Sequence, residues 1–344
     1  MRRAITLATL IAAAILAGTF HHARLRAASA ISRFDDESAT EALVAKAHDI
    51  TNLTAVGSAP FQFRATLFFN DPSGDAKIPP ARGSYEFTWE APDKWREDVE
   101  LLHLKQVEIA NGGALWTKRN APYPSHAYWW ARRAIEITRG VTYHFDSYTR
   151  IEISQIGGRN VVCARNGRAH VQQELCLDSV SALPILQFDA ALNLQYVFGA
   201  WTQWGNHLYP RSIRAYSDTE LVMRAEIANV SGAPPAANWI TPPAEAASRD
   251  WCPDMRAGIL SVAIENAARP DPNAPPGSTP IIGAIVYGVI GKDGSWLDLS
   301  VLESPDFKAA YAMLEKLQPF RNQPATCRGT PVESESVFRI SAPR

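Results

Sequence analysis

The sequence predicts an α+β protein: a curved antiparallel half-barrel sheet behind a leading helix, followed by a smaller ββαβ unit. Two observations predict it. From Phe61 onward, large apolar side chains recur at every second position in many short runs, the period of half-buried strands. After a proline-rich stretch at residues 270–280, the pattern changes to two apolar strands, one helix and a last strand. The implied division is residues 1–30 for export, 31–232 for a first domain, 233–280 for a linker with a short helix, and 281–344 for a second domain.

The leading helix is marked by the capping-box pattern Ser38-Ala39-Thr40-Glu41, with Leu43, Ala47 and Ile50 at helical spacing to about Thr51. In the strand that follows, Phe61, Phe63, Leu67 and Phe69 share one face. In the next, Tyr85, Phe87 and Trp89 alternate with Ser84, Glu86 and Thr88. Further strands are expected at 94–100, 104–110, 114–118, 149–156 and 171–177, and in two pieces over 211–230. Asp71-Pro-Ser-Gly74, Ala91-Pro-Asp93, Asn111-Gly-Gly113 and Asn166-Gly167 punctuate them as turns. Residues 127–138 and 182–198 read as helices or loops covering the sheet. In the linker, Gly232-Ala-Pro-Pro235 and Thr241-Pro-Pro243 break regular structure, and 257–268 suits a short helix.

The last stretch begins with the apolar run Ile281–Ile290, a turn at Lys292-Asp-Gly294 and a strand from Trp296 to Leu302. Ser304 as N-cap and Pro305 at the first helical position start a helix that Pro319 stops. Phe307, Ala310, Tyr311, Leu314 and Leu317 mark one helical face, and Ser334–Ile340 returns as a strand.

Composition bounds the function. The 344 residues are 46% hydrophobic and 20% charged, which suits packed cores. Arg2 and Arg3 precede the apolar stretch Ala4–Phe20, and Ala28-Ser29-Ala30 offers a cleavage site, the three parts of an export signal. The competing reading is an uncleaved anchor, since Ala4–Phe20 is at the short end for spanning ~30 Å of hydrocarbon and His21, His22, Arg24 and Arg26 flank it. Removing residues 1–30, with four arginines and no acid, takes the formal charge from −1 to −5. That argues against a nucleic-acid partner. Cys163, Cys176, Cys252 and Cys327 all lie in the exported part, and an even count in an oxidising compartment favours two disulfides among three pairings.

No catalytic constellation emerges. His48, His103, His126, His144, His170 and His207 have no metal-binding spacing, and there is no G-x-S-x-G elbow. "YGVIGKDGS" lacks the glycine spacing of a phosphate loop, and Asp35-Asp36-Glu37 reads as a solvated charge run. No metal, cofactor or enzymatic activity is expected. The first domain is instead crowded with Trp89, Trp95, Trp116, Trp129, Trp130, Trp201 and Trp204, which suit core packing or an apolar cavity.

Two family resemblances follow. The run "GAIVYGVIGKDGSWLDLSVLESPDFKAAYAMLEKLQPFRNQPATCRGTPVESESVFRI" resembles the C-terminal domain of TonB-type proteins over residues 281–341. That resemblance implies periplasmic docking on an outer-membrane receptor or other envelope protein, with Ser336, Val337, Phe338, Arg339 and Ile340 as an edge strand that an extended segment joins. TonB proper has a long Pro-rich spacer where this chain has a folded domain. More weakly, "GSYEFTWEAPDKWREDVE" and "VEIANGGALWTKR" resemble the LolA/LolB-like periplasmic lipoprotein carriers. This implies a lipid-like ligand in a cavity lined by Phe61, Phe63, Leu67, Tyr85, Phe87, Trp89 and Trp116. "ELCLDSVSALPI" resembles a hairpin of exported proteins of this kind, which implies a Cys163–Cys176 disulfide and leaves Cys252–Cys327. A two-residue Asn166-Gly167 turn would set Cys163 opposite His170, so that pairing requires a wider loop.

The expected function is therefore a periplasmic binding or adaptor protein, with a TonB-type energy-transducing coupler as the alternative. Cleavage after Ala30 would suit the carrier, and retention of Ala4–Phe20 the coupler.

Overall fold

The computed structural model describes residues 37–70, 80–145, 147–166, 173–232, 238–256, 258 and 282–341. The expected export segment, Asp35-Asp36, the expected Asp71–Gly74 turn, Gly167, most of the helix expected over 257–268 and the prolines of 270–280 lie outside the described residues.

One helix, α1 (Glu37–Thr51), leads. It starts at Glu37, one residue before the expected cap Ser38, and packs Val44 and Ala47 inward. Then come β1 (Phe61–Phe69), β2 (Ala81–Ala91), β3 (Lys94–Leu101), β4 (Leu104–Asn111) and β5 (Ala114–Arg119), then α2 (His126–Glu136). Ser125 caps α2, its side chain accepting from the Tyr128 N–H. Next are β6 (Thr149–Ile156), β7 (Arg159–Asn166), β8 (Gln173–Asp178), β9 (Pro184–Asp189), β10 (Leu194–Trp204), β11 (His207–Ser217) and β12 (Glu220–Ile227).

With β13 (Ala247–Asp250), these strands form a 13-stranded sheet in the order β13-β5-β4-β3-β2-β1-β12-β11-β10-β9-β8-β7-β6. Every described pairing in it is antiparallel. It is open, and α2 touches β3 on one side and β11 and β12 on the other, so the sheet wraps the helix.

Residues 182–198 are not a cover but the body of the sheet, as β9 and the start of β10. Leu194, Tyr196 and Phe198 are buried at alternate positions, the period of two that a strand imposes. Pro184 opens β9, where a missing N–H is tolerated. The linker region also contributes structure: β13 pairs with β5, and β14 (Met255–Arg256) pairs with β17 (Ala325–Cys327).

The C-terminal unit runs β15 (Ile282–Ile290), β16 (Trp296–Glu303), α3 (Phe307–Leu317), β17, β18 (Thr330–Val332) and β19 (Ser334–Ser341). Its main sheet has the order β16-β15-β19. The helix is capped by Asp306, which accepts from the Ala309 N–H, while Ser304 bonds Asp306 instead of capping. The β15–β16 turn needs Gly294. Its φ is +81°, and a Cβ there would lie 2.0 Å from the Asn322 carbonyl oxygen.

The two faces of this small sheet bury different partners. Ala284, Val286, Ile290, Phe338 and Ile340 pack with α3 residues Ala310, Met313, Leu314 and Leu317. Ile285, Tyr287 and Val337 on the other face belong to the same apolar core as the large sheet and α2. The helix α2 is thus held between two sheets.

Two disulfides form, Cys163–Cys176 and Cys252–Cys327, as the resemblance implied. Cys163 sits directly opposite Cys176 because β7 and β8 stay paired out to Asn166–Gln173, a wider hairpin than the two-residue turn. Among the described residues no helix is long and apolar enough to cross a membrane.

The Cys252–Cys327 bond closes a loop with a sequence separation of 75. A loop of that size stabilises by about 4 kcal/mol in the chain-entropy picture. Replacing both cysteines with serine is expected to lower the free energy of unfolding by about 2–4 kcal/mol in urea titrations, with the C-terminal unit losing hydrogen-exchange protection first.

Candidate functional site

Residues directly opposite in an antiparallel pair share a face, so the strand registers lay out the inner surface in rows. One row is Phe61, Trp89, Trp95, Ala110 and Leu115. The next is Phe63, Phe87, Glu97, Glu108 and Thr117, followed by Ala65, Tyr85, Val99, Gln106 and Arg119. Leu67 sits in the row beyond, opposite Gly83.

Six of the seven cavity candidates therefore lie together on the inner face. Phe61, Phe63, Leu67, Tyr85, Phe87 and Trp89 are each at most 5% exposed. The rings of Phe61, Phe63, Phe87 and Trp89 touch, with Phe61 5.6 Å from Trp89 and 5.9 Å from Phe87 between centroids. Trp116 does not join them: its neighbour Leu115 points inward, so Trp116 faces the opposite side, beside Ser248 of β13.

Between the aromatic tract and α2 lies a buried ionic network. Glu97 and Glu108 are both fully buried. Tyr85 and Tyr128 donate their hydroxyls to Glu97, at 2.5 and 3.1 Å, and Arg139 donates at 3.3 Å. Arg132 of α2 donates to Glu108 at 3.0 Å and to the Tyr128 hydroxyl at 2.5 Å, and Gln106 donates to Glu108 at 3.0 Å. Arg139 also stacks over Phe87 at 4.5 Å and Trp95 at 5.2 Å. Burial pushes the Glu108 carboxyl up, against the pull of Arg132. Burial also raises the Tyr85 and Tyr128 hydroxyls, keeping both as neutral donors.

A signal for this network exists in the sequence. Reading β3 with period two places Glu97 between the inward Trp95 and Val99, and β4 does the same for Glu108. A charge at an inward position demands a partner, but nothing local names Arg132 and Arg139, which arrive from beyond β5.

The docking-edge candidates lie on β19. Val337 and Arg339 share the face of Ile285 and Tyr287 toward the large sheet, while Ser336, Phe338 and Ile340 point toward α3. Both faces of β19 are covered, and one edge pairs with β15.

Where β19 begins, Glu335 binds the seam. Arg119 of β5 donates to it at 2.8 Å, Tyr287 donates its hydroxyl at 2.8 Å, and Arg249 of β13 lies at 3.1 Å. Burial opposes ionisation of Glu335, but Arg249 and Arg119 outweigh it and hold the carboxyl at about 2. Beside this contact, Thr117, Lys118, Arg119, Pro122, Glu245, Ala247 and Tyr287 line a pocket of about 360 Å³. Tyr123 stacks against Tyr287 at 6.5 Å and Trp129 meets it tilted at 6.3 Å, His126 pairs with Glu303, and Lys292 with Asp250 at 2.6 Å.

The cluster of Cys163, Glu174 and Cys176 has metal-like spacing, but its two sulfurs are joined in the disulfide.

The fold and the site describe a packed protein of one large and two small sheets, with a polar seam and an edge strand. No family model matches the chain, and no curated protein does. Among solved structures, the LolA superfamily protein NE2245 from Nitrosomonas europaea is similar at 10% identity, with 58% of this chain and 96% of that chain covered and a TM-score of 0.37. MucB is similar at 14% identity over 65% of this chain and 72% of that chain, with a TM-score of 0.26. Both scores are below 0.5, so the architecture rests on this chain's own pairings.

Replacing Glu97 with alanine leaves Arg139 and two hydroxyls without their acceptor. It is expected to cost about 3–5 kcal/mol in chemical denaturation. For Glu335 the folded pKa lies below the ordinary 4.5. Its contribution, about 3 kcal/mol at most, is therefore complete above pH 4.5 and lost as pH falls toward 2. Acid titration of stability should show this loss in the native chain and a flatter profile in Glu335→Gln.

Proposed function

We propose that the chain is a non-enzymatic binding and adaptor protein of the cell envelope, working through the C-terminal unit as a docking module. The observation that carries this reading is the β19 edge: both faces are packed, one edge pairs with β15, and no described strand pairs with the other. A rigid strand with one unpaired edge suits β-addition by an extended segment of an envelope protein such as an outer-membrane receptor. Two disulfides support an oxidising compartment, the periplasm, as the place of work.

A lipid-like ligand on the inner face is the complementary part of the reading. The contiguous aromatic tract supports it, with the condition that α2 moves away, because the six residues are buried in the same apolar core as that helix. Such a movement would also uncover Glu97 and Glu108. A TonB-type coupler is the alternative, and it requires the export segment to be retained as an anchor. Sequencing the N-terminus of the protein from cells separates the two.

Because apolar packing crosses the seam, the whole exported chain is the right bait. Adjacent β19 residues point their N–H groups in opposite directions, so of Ser336→Pro and Val337→Pro only one removes an N–H from the unpaired edge. That variant should lose at least tenfold in capture of its outer-membrane partner while keeping its melting temperature, and equal capture by both would sink the docking reading. Native mass spectrometry of the same chain should find a co-purifying lipid if the inner face is used.

A further inference from the structure

A second long edge among the described strands is β6, the last strand of the large sheet. It is eight residues long, whereas β13 at the opposite end has four and is fixed into the seam. Its sequence, TRIEISQI, has three β-branched isoleucines and no proline or lysine, so it carries few of the usual devices that blunt an edge. Ile153 is 38% exposed. Directly behind β6, the Cys163–Cys176 disulfide ties β7 to β8 and makes the edge rigid.

The charges on this edge are unbalanced in a specific way. Arg150 stands directly opposite Arg165 of β7, a like-charge pair. Arg165 is committed to Glu152 at 2.7 Å and Glu174 at 2.8 Å. Arg150 is exposed and has no acidic partner among the described residues.

We propose that β6 is a self-association edge, pairing antiparallel with β6 of a second copy about a two-fold axis at Ile151. A two-fold perpendicular to the sheet allows only registers in which one residue faces its own copy. Centring on Glu152 sets two carboxylates face to face, and centring on Ile153 places Arg150 opposite Ile156. Centring on Ile151 places each Arg150 opposite the Glu152 of the other copy, while Ile151 meets Ile151 on the inner face. That register supplies the acid Arg150 lacks and leaves Arg165 with Glu174. The product is one sheet running continuously through two molecules.

Analytical ultracentrifugation of the exported chain is expected to show a dimer forming in the micromolar range. Arg150→Glu or Glu152→Arg alone should weaken it about tenfold or more. The combined reversal should restore it to within about threefold, because acid and base are simply exchanged across the two-fold. Ile151→Cys should form an intermolecular disulfide with its own copy. A monomer at all concentrations overturns the proposal, as does a dimer indifferent to both single reversals or one that Ile151→Cys never cross-links.

Discussion

The structure depends on two carboxylates that have no access to water. Glu97 and Glu108 project from the inner face of the large sheet, where alternation reserves the positions for core residues. Each is an expensive group to bury, and the cost is met only if donors converge on it. Tyr128 and Arg132 on α2, Arg139 just after it, and Tyr85 and Gln106 on the sheet supply those donors. An apolar contact would let α2 slide along the aromatic tract. The ion pairs do not, because they specify which turn of the helix sits over which strand.

Once α2 is fixed, its other side becomes a surface for the C-terminal unit. Trp129 and His126 present a ring and an imidazole to Tyr287 and Glu303. The small sheet then buries one face on α3 and the other on α2, which leaves its strand edges as its unpaired main chain. Glu335 strengthens this seam with a different balance from Glu108. Two guanidinium groups flank it, and their attraction exceeds the burial penalty. At Glu108 the penalty dominates. The same residue type is thus pushed in opposite directions, because Glu97 and Glu335 add their charge to the burial penalty at Glu108, while Arg249 and Arg119 outweigh that penalty at Glu335.

Much of the architecture was legible locally. The period of two in Phe61–Phe69 and Tyr85–Trp89 marks strands because a pleated backbone alternates its side chains, and the structure has β1 and β2 there. The shift near residue 280 to strand, turn, strand and helix likewise corresponds to β15, β16 and α3. Residues 182–198 misled because Pro184 and the run Asp189–Asn193 interrupt the alternation just where a turn joins two strands. Six cavity candidates shared a face for the reason the sequence suggested, while Trp116 did not, since a shift of one residue moves a side chain to the other side of a sheet.

By itself, then, the sequence determined the strands β1 to β5, the inward faces of β1 and β2, and the possible pairings of four cysteines. Those properties are set by neighbours within a few residues. The tertiary structure alone decided that Glu97 finds Arg139 and Glu108 finds Arg132, that Glu335 finds Arg119 and Arg249, and which strands remain at the edges. Each of these joins groups far apart along the chain, and which long-range partners meet is settled by packing and charge compensation, not by local spacing.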